Sequence, residues 1–309
     1  MKRATLLAGI LALATLVAPH VRAQGETTML PNGWAMTTRL RRLSDVNAVA
    51  CSDDHAYAHG WSGGVVRWDG TRWEELPEPA GYTAGQTYGT RVAVTPSGNL
   101  LMEASGHVAR WDGSSWTTLS FTDWPRYQSL GGIAAIGSEV LVVGRGRVAR
   151  LEGTALRSYD AGTWRELSAI AGTSIGDLWT AGQGGTLMHW DGQTWTRVVS
   201  GTDRWLGGLL AVSANDVWAW AEDYGTPTLL HWDGHTWSPV TPPIGGAVLD
   251  VAVRGDRVWA LTAAGVFERV QEVWTSQLVP SDFGDESTAS SRSAPRVRTS
   301  WWAQVSAPS

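Results

Sequence analysis

A unit of about forty residues repeated six times, the hexapeptide Trp-Asp-Gly-x-x-Trp in four of those units, and short apolar runs punctuated by glycine turns predict an all-β fold. They predict a six-bladed β-propeller of four-stranded antiparallel blades. Composition carries the same signal. Trp supplies 20 of 29 aromatic residues, beside 6 Tyr and 3 Phe, a bias that arises when one position is copied many times.

The hexapeptide begins at Trp68, Trp111, Trp190 and Trp232, with spacings of 43, 79 and 42. The long gap holds a degenerate copy, Leu151-Glu152-Gly153-Thr154-Ala155-Leu156, with Leu at both Trp positions. A sixth, weaker copy is read at Val270 to Trp274. Upstream of each copy stands a landmark residue, Tyr57, Leu100, Val140, Trp179, Trp218 and Trp259, spaced by 43, 40, 39, 39 and 41. Landmark and motif lie 11 residues apart in five copies and 14 in the fifth, which places a three-residue insertion there.

The fourth unit reads as four strands: Leu167–Ala171, Asp177–Ala181, Thr186–Trp190 and Trp195–Val198, joined by Gly-rich turns and without helical periodicity. In the hexapeptide, Gly at the first central position of a two-residue turn supplies the positive φ that a type II′ hairpin needs. The Asp then faces the residue after the turn, and the two Trp become the next opposed pair, stacked across the hairpin. Radial repetition buries both faces of every such sheet against its neighbours. Closure of the ring is expected from one of the chain ends, either Trp34–Thr38 or Trp301–Val305.

Three segments follow. Residues 1–23 read as a secretory signal, with Lys2 and Arg3 before an apolar stretch and Val21-Arg22-Ala23 as the cleavage site. Residues 24–279 form the propeller, and 280–309 a Ser/Pro-rich flexible tail. Cleavage leaves a net charge of −8, which offers no positive field to nucleic acid. A hydrophobic fraction of 43% with 17% charge excludes disorder and a polytopic membrane protein. No later segment approaches the ~20 apolar residues of a membrane span. The chain is expected to be a secreted, periplasmic or envelope-associated monomer. Its single cysteine, Cys51, forms no internal disulfide and reads as a small packed thiol.

The stretch Ala171 to Trp195, with Asp177-Leu178-Trp179 and His189-Trp190-Asp191-Gly192-Gln193-Thr194-Trp195, resembles exported bacterial β-propeller proteins whose repeats run Ser-x-x-Asp-Val-Trp, Gly-Gly, then His-Trp-Asp-Gly-x-x-Trp. Ser213 to Trp237 resembles them as well. The resemblance covers residues 43–279 and implies fold and compartment rather than chemistry. The hexapeptide is distantly similar to the Asp-box of sialidases and photosystem-II-assembly-factor-like propellers, but lacks the residue that motif has between Asp and Gly.

In a repeat protein, recurring residues are framework and departures are candidates for function. The motif carboxylates Asp69, Asp112, Asp191 and Asp233 sit on separate turns, so they read as turn-formers rather than calcium ligands. His189 and His231 share a position with Arg67, Arg110 and Arg150 and read as a solvated strand face, not a metal site. No cofactor, metal site or catalytic residue is expected. With strands a to d in order, the a–b and c–d turns fall on one face, and the b–c loops and d-to-a crossings on the other. The second face gathers the irregular aromatics. The ligand-binding residues expected there are Trp61, Tyr82, Tyr88, Trp124, Tyr127, Asp223 and Tyr224, while Tyr159, Trp164 and Trp205 share the face. Trp164 and Trp205 are expected to fold back on their own blades.

Aromatics with polar tips on rigidly held loops suit recognition. The expected function is non-catalytic binding of an extracellular or envelope protein or glycan. The alternative is a glycan-active hydrolase or lyase using a pair among Glu103, Asp123, Asp203, Glu222 and Asp223.

Overall fold

The computed structural model describes residues 27–29, 35–37, 46–51, 56–60, 64–68, 73–80, 91–104, 106–124, 130–221, 228–243, 246–262, 264–278 and 302–303. After a short hairpin of β1 (Thr27–Met29) and β2 (Ala35–Thr37), six successive stretches each run as an antiparallel four-stranded meander, the second and third joined in parallel at their last strands into one eight-stranded sheet. The first is β3 (Val46–Cys51), β4 (Ala56–Gly60), β5 (Val65–Trp68) and β6 (Trp73–Leu76). The second is β7 (Val92–Val94), β8 (Leu100–Ala104), β9 (His107–Trp111) and β10 (Trp116–Phe121). The third is β11 (Gly132–Ile136), β12 (Glu139–Gly144), β13 (Arg147–Glu152) and β14 (Ala155–Asp160). The fourth is β15 (Leu167–Ser174), β16 (Asp177–Gly182), β17 (Thr186–Trp190) and β18 (Trp195–Val198). The fifth is β19 (Leu206–Ser213), β20 (Asp216–Ala221), β21 (Thr228–Trp232) and β22 (Trp237–Pro239). The sixth is β23 (Val248–Arg254), β24 (Arg257–Thr262), β25 (Gly265–Val270) and β26 (Val273–Leu278). A final β27 (Trp302–Ala303) joins the inner edge of the first sheet in parallel, Trp302 opposite Ala50 and Ala303 opposite Cys51.

The first five sheets meet along one axis. Cys51 and residues of β7, β11, β15 and β19, the first strands of their sheets, line one apolar cavity. Between neighbouring sheets lie separate cores, one joining the first and second around Tyr57 and Met102, another the fourth and fifth around Trp179 and Leu209. The expected strands of the fourth unit are all present. Its first strand runs on to Ser174, because a bulge after Gly172 keeps it paired to Asp177.

The hexapeptide hairpins form as the local chemistry requires. Trp68 faces Trp73, Trp111 faces Trp116, Trp190 faces Trp195 and Trp232 faces Trp237. Their ring centroids lie 5.4–5.9 Å apart, at interplanar angles of 42–54°. The rings are therefore tilted and not stacked, as the quadrupoles of two indoles prefer. Gly113, Gly192 and Gly234 hold φ near +100°, the conformation that makes glycine the fitting residue there. The Asp supplies a second lock. Asp112, Asp191 and Asp233 each accept two backbone N–H bonds through Oδ1 from the residues two and three positions on, at 2.8–2.9 Å. These bonds hold all three carboxyls below the usual range, Asp112 at about 2.

The landmark register shifts in two repeats. Tyr57, Trp179 and Trp218 face the following sheet, but Leu100 and Val140 face the preceding one. Their neighbours Leu101 and Leu141 hold the equivalent position, opposite Arg110 and Arg150. The sixth hexapeptide also starts one residue earlier, because Arg269 pairs with Trp274 and Val270 with Val273. There Gln271 and Glu272 take the turn at φ +47° and +70° without a glycine. The b–c connections of these repeats are a residue shorter than in the first and fourth, which counting at a fixed motif distance cannot show.

His189 and His231 do not lie on a solvated face. Each ring packs on the landmark indole of its own sheet, Trp179 at 4.3 Å and Trp218 at 4.4 Å. Each also meets a carboxylate, His189 Nε2 to Asp177 Oδ1 at 2.8 Å and His231 Nε2 to Asp216 Oδ1 at 2.9 Å. The third sheet puts Arg150 and Glu139 in those places, and the sixth reverses the charges with Glu268 and Arg257. In four of the six sheets the position therefore holds a basic–acidic pair across the second and third strands, whichever of them carries the basic residue.

Neither expected closing strand completes a four-stranded sheet. Ala35–Thr37 pairs with β1, and Trp302–Ala303 adds a fifth strand to a sheet that already has four from one continuous stretch.

Candidate functional site

Hydrogen bonding sorts the connections into two groups, as expected. On one side the c–d turn meets the a–b turn: a Cβ on Gly192 would touch the Gly176 carbonyl, and Trp232 Nε1 donates to Ala214 O. On the other side the b–c loops meet the crossings. Gly146 N donates to Arg165 O at 2.9 Å, Gln183 N to Glu166 O at 2.9 Å and Gly185 N to Arg204 O at 2.6 Å.

Two crossings share a frame, Gly162-Thr163-Trp164-Arg165-Glu166-Leu167 and Gly201-Thr202-Asp203-Arg204-Trp205-Leu206. In both, the glycine has φ above +70° and the threonine Oγ1 accepts from the arginine N–H at 3.2 Å. The frame is fixed, and its free positions each carry one indole and one carboxylate in exchanged order. Backbone contacts beneath are close: a Cβ on Gly146 would stand 2.3 Å from Thr163 O, and one on Gly185 1.8 Å from Thr202 O. These glycines let loop and crossing approach to hydrogen-bonding distance, which makes the platform rigid.

On that platform Trp164 is 69% exposed. The Arg165 guanidinium lies 4.9 Å from its ring centroid, a cation–π contact, and occupies the space that a side chain on Gly184 would take. Trp205 is 44% exposed and anchored by its Nε1 donating to Ser168 Oγ. On the same crossing an open groove runs along Arg197 to Asp203 and Gly185, with Val199 84% exposed. Sequence reasoning placed Trp164 and Trp205 on the correct face but expected them folded down. Trp164 is not: it stands exposed, with the Arg165 guanidinium against its ring. Val199 carries no aromatic or polar signal by which sequence alone marks it.

Of the seven expected ligand-binding residues, Trp124 is described. It is half-buried, its ring 4.8 Å from Phe121 and against the core between the second and third sheets. Trp61, Tyr82, Tyr88, Tyr127, Asp223 and Tyr224 lie outside the described residues. Tyr159 belongs to β14 rather than to a crossing, and its hydroxyl donates to Glu152. Among the candidate carboxylates, Asp123 is bound to Ser158 N at 2.9 Å, Asp203 stands on the crossing after the fourth sheet, and Glu103 lies on β8 opposite Arg91. Glu222 and Asp223 lie outside the described residues.

Glu103 and His59 occupy one repeat position, two residues beyond Leu101 and Tyr57, where Val143, Ala181, Trp220 and Leu261 stand in the other sheets. Burial pushes the Glu103 carboxyl up to about 7, against the opposing pull of Arg91, and pushes the His59 ring down to about 4. For Glu103 the folded state holds a proton that the unfolded chain releases from about 4.5. Its contribution to stability is complete below that pH and is lost as pH rises to about 7. For His59 the sign is opposite: stability is lost as pH falls from 6.5 towards about 4. Glu103→Gln is expected to gain about 1–2 kcal/mol over the parent on going from pH 5 to pH 8.5, after discounting for partial solvent screening. Urea unfolding at the two pH values reads this, and an equal difference at both overturns it.

Comparison with protein-family models and with curated proteins finds no match. Among solved structures, the WD40 β-propeller domain of Doa1 is similar with a TM-score of 0.59 at 13% identity, over 75% of this chain and 82% of that one. A structure of YCF48 bound to D1 peptide gives 0.55 at 17%, over 74% and 79%. YCF48 from Cyanidioschyzon merolae gives 0.55 at 16%, over 75% and 83%. The chain has the β-propeller fold. The resemblance of its repeats to propeller proteins is thereby supported at the level of fold. Among the described residues no helix is long and apolar enough to cross a membrane.

Proposed function

We propose that this protein is an exported, monomeric, six-bladed propeller without catalytic activity, which holds an extended segment of an extracellular or envelope protein on its crossing face. The observation that carries the binding reading is the exposed Trp164 indole with Arg165 against it, held on a backbone too tightly packed to relax. An exposed aromatic beside an arginine on a rigid support is the composition of a binding hot spot. The structural neighbour YCF48 binds a D1 peptide, which favours a protein over a glycan as the ligand of this face.

Six blades rest on burial. Val49, Ala56, Ala58 and Val66 alternate with the residues that pack on the second sheet, so they point the other way, yet they are 0–2% exposed. In the sixth sheet Leu261 and Val266 are buried on the face it turns from the fifth. We take these two faces to cover each other, with Trp259 meeting Trp68 and Trp73 as Trp179 meets Trp232 and Trp237. Export rests on residues 1–23 as a cleaved signal.

Peptide and glycan arrays probed with residues 24–309 test the function. Trp164→Ala and Arg165→Ala are each expected to weaken peptide binding about 10–100-fold. Unchanged binding in both variants removes the site. Binding confined to glycans assigns the face to sugar, and reducing sugar released from a polysaccharide panel favours the hydrolase.

A further inference from the structure

Among the described residues, the outer edges of the sheets are protected against further strands, with one exception. β10 and β14 pair with each other. β6 carries two adjacent glutamates, Glu74 and Glu75, and is followed by Pro77. β22 ends on Pro239, and β26 holds an extra residue, Gln277, where its register shifts. Each of these devices discourages strand addition. β18 has none of them: its four residues keep unbroken register with β17, carry a single charge, Arg197, and have no strand beyond them. The open groove from Arg197 to Asp203 begins on this strand. Its hairpin closes on Asp191 N donating to Thr194 O, so the alternation of the ladder turns the N–H and C=O of Arg197 away from β17.

The third sheet fills the equivalent edge from within the chain. Ser158 holds the place of Arg197, opposite Ala149 as Arg197 is opposite Met188. An extended segment of the preceding sheet lies along it, Ser120 and Phe121 pairing in parallel with Ala155 and Leu156. Thr122 N donates to Leu156 O at 3.1 Å, and Asp123 Oδ1 accepts the Ser158 N–H at 2.9 Å. At the fourth sheet the corresponding residues act differently. Gly162, in the place of Thr122, stays close to the edge, where a Cβ would stand 3.8 Å from Trp195 O, but its N–H goes to Asp160 Oδ1. Thr163, in the place of Asp123, turns its Oγ1 to Arg165 N. Among the described residues, no carboxylate does for Arg197 what Asp123 does for Ser158, and the exposed Arg197 side chain adds a positive charge at that point.

We infer that this edge takes an extended acidic segment of a partner protein, laid along Arg197 to Val199, its carboxylate accepting the Arg197 N–H as Asp123 accepts that of Ser158. Strand addition supplies the backbone part of such an interface, and a carboxylate bound by both an N–H and a guanidinium supplies the charge-assisted part. Asp203 is the other charged residue of the groove, which confines the acidic side chain to the Arg197 end. A second copy of the chain fits less well, because antiparallel self-pairing centred on Arg197 sets like charges directly opposite each other. The inference deepens the crossing-face reading, on which it rests, by naming the chemistry of the segment. Trp164 and Arg197 each stand two residues from the approach of Gly162 to Trp195, so one extended segment spans both.

Two matched arrays of random heptapeptides, one with Asp fixed at the centre and one with Asn, are probed with the full chain. The parent is expected to bind the Asp array about tenfold more tightly. Arg197→Pro removes the outward N–H and is expected to erase that preference. The fifth sheet already carries Pro239 at the equivalent position, opposite Leu230, so the fold accommodates the change. Arg197→Gln keeps the N–H and discards the charge, and is expected to reduce the preference to about threefold. Equal binding to the two arrays by the parent, or an undiminished preference in Arg197→Pro, overturns the proposal. Trp164→Ala separates the two readings. If it abolishes binding while Arg197→Pro does not, the crossing face stands and the edge falls; the reverse result keeps the edge and removes Trp164 from the site. Sedimentation as a dimer that Arg197→Pro converts to a monomer assigns the edge to a second copy and also overturns the proposal.

Discussion

Replacing Trp179 by alanine is expected to destabilise the protein by about 3–5 kcal/mol, the range for removing a large aromatic from a core that cannot collapse. Trp179 is fully buried at the seam between the fourth and fifth sheets. Its ring lies 5.1 Å from Trp232, 5.3 Å from Trp237 and 4.3 Å from His189. One truncation therefore removes the shared partner of three rings on two sheets. The neighbours cannot close the gap, because each is fixed by its own hairpin. Trp179→Phe keeps an aromatic wall and discards an indole N–H that has no acceptor among the described residues. It is expected to cost less than half as much. Denaturant unfolding monitored by circular dichroism decides it. A loss below about 1 kcal/mol for Trp179→Ala contradicts a packed seam.

The second large effect concerns Gly185, which joins the fourth sheet to the crossing that carries Trp205. Its φ is +64°, and a Cβ there would stand 1.8 Å from the Thr202 carbonyl oxygen. Two costs combine, the left-handed backbone and a collision with main chain that no rotamer change relieves. Gly185→Ala is expected to lose about 3 kcal/mol or more and to break the Gly185 N to Arg204 O bond. Gly153, on the opposite face, has φ +65° with nothing near its Cβ position. Gly153→Ala pays the backbone cost alone, about 1 kcal/mol. Thermal unfolding of the two variants separates collision from conformation, and equal losses refute the assignment.

The hexapeptide hairpins were legible in the sequence because everything that makes them is local. Gly113 turns the chain, Asp112 ties the two N–H groups that follow, and Trp111 meets Trp116 five residues on. The sorting of connections into two faces was legible for a similar reason, since it follows from strand order alone. The landmark slip at Leu100 and Val140 was not. A connection one residue shorter inverts which face a counted position occupies, while the strands re-pair without trace in the composition. The half-buried setting of His189 was hidden as well, because its partner Asp177 lies twelve residues away on another strand.

By itself the sequence determined that the chain builds repeated four-stranded sheets, where their hairpins turn, and which connections share a face. These follow from interactions between residues a few positions apart. The tertiary structure alone decided which indoles stay in water. Trp124 and Trp164 both follow the fourth strands of their sheets, yet one rests on Phe121 and the other stands exposed with only Arg165 against its ring. Exposure depends on what a neighbouring sheet places beneath a side chain, and that neighbour is fixed only when the sheets pack.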